Sequence, residues 1–442
     1  MNALRAGAAR RDITPRTSLY LAGYPNTPRA STGVHDPLTT TALALSDGDH
    51  TVIFVALDLL MLSHGFANEC RAEIAAATGV PVDGILVSTT HTHSAPITVA
   101  LLAFRGDPLV PPPDPAYMTL VRRSIVDAAV EAYARLAPAR IAVTTADARG
   151  VGGNRHAPDG AADPEVGILA VQDAGSGTLL ALSVTYSMHP TVLHEDSTLV
   201  SADFPGLARA LVEAQFPGAL VLYHTGPAGN QSPRLHVTGQ TFAEAERLGH
   251  QLGEAVVAAV RALAPDAYSG PASGAVPVGA ATCAVALPGR TFPSIAEAEA
   301  ALEAAVRTYE QLKAAGAPHG PVRTAEVSVF GAEEQVVLAR AQVAGEIETL
   351  RAAYTPTALQ ALRVGDVAYV GLPGEWFVEY GLAIKAQACA RTFVISLANG
   401  ELQGYIVTPE ATGYEASFSL FLPEAGAIAV DAAVCLVCAL MQ

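Results

Sequence analysis

The residues best equipped for chemistry sit where apolar runs stop. GILVSTT leads into His91 and His93, and LLALSVTYSM leads into His189-Pro190. ALVLYHT runs into GPAGNQSP with Asn230 and Ser232, DVAYVGLP into Gly374-Glu375, and TFVISLANG into a segment containing Tyr405. In an open α/β sheet the ligand crevice lies beyond the carboxyl ends of the strands. Five runs that end in His, His, Ser, Glu and Tyr therefore point to one shared site. Imidazole nitrogen and carboxylate oxygen are zinc donors, and a catalytic zinc keeps one position open. If the chain stays extended after Thr89, His91 and His93 face the same side. One could then hold metal while the other addresses substrate. This is not HExxH, where both histidines share a helix face. Each residue also has a bland reading. His189 could simply end a strand before proline, and Glu375 could be a first-turn helix carboxylate. Tyr405 is an uncommon ligand because a free phenol has a pKa of about 10.

The elements that must position these residues are legible from pattern. Short Val- and Ile-rich runs alternate with Ala/Glu-rich stretches, the signature of an α/β fold with a sheet core flanked by helices. Helices are predicted over 66–78, 116–136, 205–215, 241–263, 294–315 and 330–353, with Ser294 as an N-cap. The last two form a helical hairpin, a candidate subdomain at 290–356 that stands out from the sheet; otherwise 1–442 reads as one catalytic unit. PVGAATCAVALPGRTFP would supply a linking strand before that hairpin. The stretch DPLVPPPDPAY must be loop, since proline fixes φ and removes donors. Asp203 fits an N-cap. Cys435 and Cys438 match C-x-x-C but lie in an apolar C-terminal helix, where core packing is expected. Asp173 to Gly177 reads as a hairpin turn.

Composition narrows the partners. The 442 residues carry a net charge of −16, and without basic clusters nucleic acid is excluded as a partner. No run reaches the ~20 apolar residues of a spanning helix, so no stable membrane anchor is expected. Five cysteines, odd and sparse, argue for a reducing compartment. With no apolar leader in MNALRAGAARRDITP, a cytoplasmic location is expected. Oligomeric state leaves no trace in the sequence.

Taken together, AGAARRDITPRTSLYLAGY, VIFVALDLLML, STTHTHSAP, GNRHAP, SMHPTVL, SADFPG, GPAGNQSP, LPGEWF, ANGELQGYIVTPE and GYEAS resemble, in order and approximate spacing, the catalytic domain of the neutral (non-lysosomal) ceramidase family. The resemblance implies one zinc per chain, held by His91, His189, Glu375 and Tyr405, with His93, Arg155, Ser232 and Tyr414 as the catalytic shell. It implies hydrolysis of a C–N amide bond by metal-activated water. Two departures bear on the substrate. Gly229-Asn230-Gln231-Ser232-Pro233-Arg234 replaces the family's Gly-Asp-Val-Ser-Pro-Asn, and the family's C-terminal β-sandwich domain is not expected here. A small N-acyl amide is therefore expected rather than a membrane lipid. An ester or lactone hydrolase with the same zinc site, and a non-catalytic binding protein of this fold, stay open. His93 is expected as general base or acid, with Arg155 and Tyr414 holding the carbonyl or the oxyanion. Ser232 is either a nucleophile or a donor that orients water. Arg234 beside it hints at a substrate with an anionic group.

Overall fold

The computed structural model describes residues 3–270 and 276–442. Eight strands form one mixed sheet: β1 (Arg5–Asp12), β2 (Thr39–Ser46), β3 (Thr51–Leu57), β4 (Ile85–Thr89), β5 (Ala137–Asp147), β6 (Glu165–Asp173), β7 (Leu179–Tyr186) and β8 (Leu220–Thr225). Their spatial order is β8-β7-β6-β5-β1-β2-β3-β4. Only β3–β4 and β7–β8 are parallel pairs. The β6–β7 connection is the expected hairpin turn, closed by Gly177 N–H onto the Asp173 carbonyl at 2.9 Å. A second sheet of four strands, β9 (Val278–Val285), β10 (Thr357–Val364), β11 (Val367–Gly371) and β12 (Arg391–Ile395), runs in chain order. The linking strand before the hairpin is therefore the edge of this sheet.

The two sheets pack face to face, a layer that sequence pattern leaves open. β2 and β3 are buried on both faces, so their runs read as continuous apolar sequence rather than alternation. Leu43, Leu45, Val52 and Phe54 point into the layer shared with Leu362, Tyr369 and Phe393 of the second sheet. Ala42, Ala44, Ile53 and Val55 point the other way, onto α1 (His64–Thr78) and α2 (Pro115–Ala134). The outer face of β5–β8 is covered by α3 (Asp203–Gln215) and α4 (Phe242–Arg261).

The hairpin is α5 (Ile295–Ala314) and α6 (His319–Val343), followed by α7 (Glu346–Tyr354). Ser294 and Glu297 make the capping box that opens α5. The predicted helix 330–353 is really two. Gly345 adopts φ 74° and breaks it, and α6 begins earlier because Pro321 falls in its first turn, where no donor is lost. The hairpin lies against loops of the site instead of projecting from the sheet. Asn26 Nδ2 donates to Glu333 Oε2 at 3.2 Å, Arg323 pairs with Glu195 at 2.9 Å, and Tyr414 Oη donates to Glu334 Oε1 at 3.4 Å.

Glu334 gives the hairpin a pH signature. Burial pushes its carboxyl up to about 8, against the opposing Tyr414 hydrogen bond. The fold thus prefers the neutral form. The stability this group contributes is complete below the unfolded carboxyl value of about 4.3 and is lost as pH climbs to about 8. Glu334→Gln keeps the shape and stays neutral. It is expected to match wild type near pH 4 and to melt at higher temperature near pH 8. Thermal scans at both pH values check this, and an equal difference at the two would refute it.

The chain closes with α8 (Val378–Gln387), α9 (Tyr414–Phe418) and α10 (Glu424–Met441). By length and hydropathy α10 could cross a membrane. Its inner residues Ala425, Ala429, Ala433, Leu436 and Val437 instead fill the core over β10 and β11. Cys435 and Cys438, expected in that core, are exposed and half-buried.

Candidate metal centre and active site

The carboxyl ends of β4, β8 and β12 meet at one point. Thr225 donates to the Thr90 carbonyl at 2.7 Å, Ser396 N–H to the Thr225 carbonyl at 2.8 Å, and Asn399 N–H to the Val87 carbonyl at 2.6 Å. The loops leaving these strands and β7 and β11 carry the polar residues to a common centre. After Thr89 the chain does not stay extended: His91 takes φ +67°, the left-handed region that non-glycine residues seldom occupy. The same-face argument for His91 and His93 fails there. The turn itself brings both rings to the site, with centroids 5.0 Å apart.

His91 Nδ1 lies 2.8 Å from the Leu60 carbonyl and His189 Nδ1 lies 2.9 Å from the Ala228 carbonyl. A carbonyl only accepts, so both Nδ1 atoms carry the proton and both Nε2 atoms are bare in the neutral rings. Those two Nε2 atoms face each other at 2.9 Å. Glu375 Oε2 is 3.0 Å from the first and 3.6 Å from the second. This oxygen is buried and has no hydrogen-bond partner among the described residues. Three lone pairs thus converge on one point, an arrangement that a bound cation would stabilise. His93 completes the group: one nitrogen each from His91, His93 and His189 lie within 4.8 Å of one another. Both ring nitrogens of His93 are buried without a partner among the described residues. Burial, aided by the His91 ring, holds His93 and His189 well below the ordinary imidazole value, so both stay neutral.

Glu375 and Tyr405 are Cα partners in a short parallel pairing. Burial and then Glu375 raise the Tyr405 phenol well above its usual value. Arg155 directly follows a second two-residue pairing, Gly153–Asn154 against Gln231–Ser232. Its guanidinium sits 5.6 Å over the Tyr405 ring and is ion-paired with Glu415. Burial alone would depress Arg155, but Glu415 and Tyr405 outweigh it and its pKa is raised. Despite burial, Arg155 and His156 hold the Glu415 carboxyl down at about 2.

Ser232 is buried, but its partners are Thr191 Oγ1 at 3.4 Å and the Arg234 N–H at 3.2 Å. No imidazole bonds it among the described residues. Tyr414 packs 6.2 Å from Tyr405 by ring centroid, with its hydroxyl turned onto Glu334. Arg234 is exposed.

Several contributors escaped the sequence reading. Arg29 is fully buried and donates to the carbonyls of His93 and Ala22 at 2.8 Å, while stacking 5.0 Å from the Tyr24 ring. A lone arginine in PNTPRAS carries no signal of that. Tyr24 in turn sits between His93 and His194, 5.2 and 5.3 Å from their rings. Glu415, one residue past Tyr414, is the group that meets Arg155. Asp203 is not the cap it was expected to be. The cap is Ala202, and the Asp203 carboxylate accepts from Val192 and Leu193 N–H, pinning the loop after His189. An apolar furrow lined by Gly23, Tyr24, Leu60, Ile97 and Phe104 starts beside His93. Leu101, Phe104 and Val110 join it to a cavity of about 670 Å³ under the α6–α7 junction.

The chain belongs to the neutral/alkaline non-lysosomal ceramidase family, whose N-terminal model matches residues 4–228. It is 24% identical over 236 residues to a neutral ceramidase of Drosophila pseudoobscura pseudoobscura, covering 48% of this chain and 32% of that protein. Against the neutral ceramidase of Pseudomonas aeruginosa it is 24% identical over 252 residues, 53% of this chain and 37% of that one. The matched segments thus span about a third of these relatives. The crystal structure of the Pseudomonas aeruginosa neutral ceramidase superposes with a TM-score of 0.75 at 18% identity, over 99% of this chain and 74% of that one. The fold is shared.

Proposed function

We propose that this protein is a zinc-dependent hydrolase that cleaves the C–N bond of a small N-acyl amide, acting as one catalytic unit with the 290–356 hairpin folded onto it. The facing Nε2 atoms of His91 and His189, 2.9 Å apart beside the orphaned Glu375 oxygen, carry the reading. Two bare imidazole nitrogens and a carboxylate call for a cation, and their donor types suit zinc. His91, His189 and Glu375 would hold it, with Tyr405 at the adjoining position. When bound, zinc supplies Lewis acidity and an activated water at neutral pH.

His93 accepts a proton from the attacking water and returns it to the leaving nitrogen; its two unpartnered nitrogens support that role. Arg155, fixed by Glu415, holds the substrate carbonyl as negative charge builds there. The apolar furrow beside His93 suits an acyl chain. Ser232 orients water or substrate, because it lacks the adjacent base a serine nucleophile requires.

The test is turnover of N-acyl amines and matching esters by purified protein, lost on chelation and recovered on adding zinc. Ser232→Ala is expected to keep turnover within about tenfold, the cost of one hydrogen bond of ~1 kcal/mol. Complete loss in that variant would revive the acyl-enzyme route. A full metal complement with no turnover across both panels would overturn the hydrolase.

A further inference from the structure

Cys438 follows Cys435 in a C-x-x-C spacing, but its neighbour in space is a different cysteine. The C-terminal helix α10 places Cys438 against the turn that links α8 to β12, and the Cys389 N–H donates to Cys438 Sγ at 3.3 Å. The two thiol side chains also interact, and Cys438 holds the Cys389 thiol above its ordinary value. Cys389 is exposed, so oxidants and thiols reach it. We propose that Cys389 and Cys438 are an oxidisable dithiol whose disulfide fastens α10 to the α8–β12 turn.

The position gives the bond a consequence. α8 begins three residues after Glu375, and its Glu379 accepts from Asn230 Nδ2 at 2.8 Å, in the loop that follows β8. α10 seals the apolar layer over β10 and β11. A link between the end of α8 and α10 therefore closes a loop of chain containing Tyr405 and Tyr414. Closing a long loop restricts the unfolded ensemble more than a short one. In the reaction the Cys438 thiolate, which receives the Cys389 amide proton as a hydrogen bond, attacks a disulfide oxidant such as oxidised glutathione. One glutathione leaves as its thiolate, giving a mixed disulfide. Cys389 then displaces the second glutathione. The protein loses two protons and two electrons; the oxidant gains both and becomes two glutathione molecules.

The full chain is incubated with oxidised glutathione, blocked with an alkylating agent, and digested with trypsin. Cleavage after Lys385 and Arg391 isolates AQACAR, which contains Cys389, while Cys435 and Cys438 stay together on the C-terminal peptide. The expected result is AQACAR covalently joined to that peptide. The link is lost in Cys389→Ser and in Cys438→Ser, and kept in Cys435→Ser. Oxidation should also raise Tm by a few degrees in wild type and in Cys435→Ser, reversed by a thiol reductant. A Cys435–Cys438 disulfide with AQACAR free would overturn the proposal. So would stable glutathione adducts without a link, or three cysteines that remain alkylated as in the untreated protein.

Discussion

His91→Ala and His189→Ala are each expected to abolish stoichiometric metal binding and to lower turnover by at least about a thousandfold. A catalytic metal supplies several kcal/mol of charge stabilisation, and each 1.36 kcal/mol is tenfold in rate. The second nitrogen of each ring decides this outcome. The Leu60 and Ala228 carbonyls take both Nδ1 protons, and so leave both Nε2 lone pairs aimed at the same point as Glu375 Oε2. Removing either ring halves the nitrogen donors and leaves the carboxylate with a single partner. A ligand that binds only the folded state stabilises it by about 2.7 kcal/mol at a hundredfold excess over Kd. A chelator should therefore lower Tm in wild type and leave both variants unmoved. His50→Ala, at an exposed position, serves as the control that keeps metal and the chelator response. Elemental analysis is the primary measurement. Metal at wild-type stoichiometry in both variants would show that the converging nitrogens are a packing accident.

The sequence carried the site further than it carried the architecture around it. The placement of His91, His189, Glu375 and Tyr405 at strand ends was legible because each follows an apolar run, and a strand end is visible as a change in hydrophobicity. Their convergence was expected from the strand ends, but its geometry was not, because it depends on β8, at one edge of the large sheet, meeting β4, at the other. The second sheet was hidden for a related reason. A run buried on both faces looks alike whether helices or another sheet cover it. Arg29 and Glu415 were missed because a buried ion is recognised by its partners, and the His93 carbonyl and Arg155 are far from them in sequence. Arg155 was picked from its motif, yet nothing in GNRHA foretold the carboxylate that fixes it. The left-handed turn at His91 was the least legible feature. It violates the local preference of its residue type, and such departures gather where function over-determines geometry.

Gly23→Ala is expected to cut turnover by about a hundredfold while leaving the metal in place, since an error of about 1 Å in a reacting group costs roughly that factor. Gly23 has φ +98°, and a Cβ there would lie 2.3 Å from His93 Nδ1, 2.5 Å from its Cγ and 2.8 Å from its Cβ. The first strain is on the backbone, about 1–2 kcal/mol for a side chain in the left-handed region. The second falls on His93, and rotating the ring does not remove it because the His93 Cβ itself is in the way. Tyr24 closes one side of the ring and His91 and His189 the other. Arg29 holds the His93 carbonyl at 2.8 Å, which stops the backbone from yielding instead. The ring must then shift out of register with the centre, since the three atoms nearest to a Cβ at Gly23 all belong to His93. The measurement is a KM-against-kcat split together with metal content. A fall in kcat with metal retained assigns His93 to proton transfer. Loss of metal in Gly23→Ala would instead make His93 a third histidine ligand, and the proton-transfer role would have to move to another group.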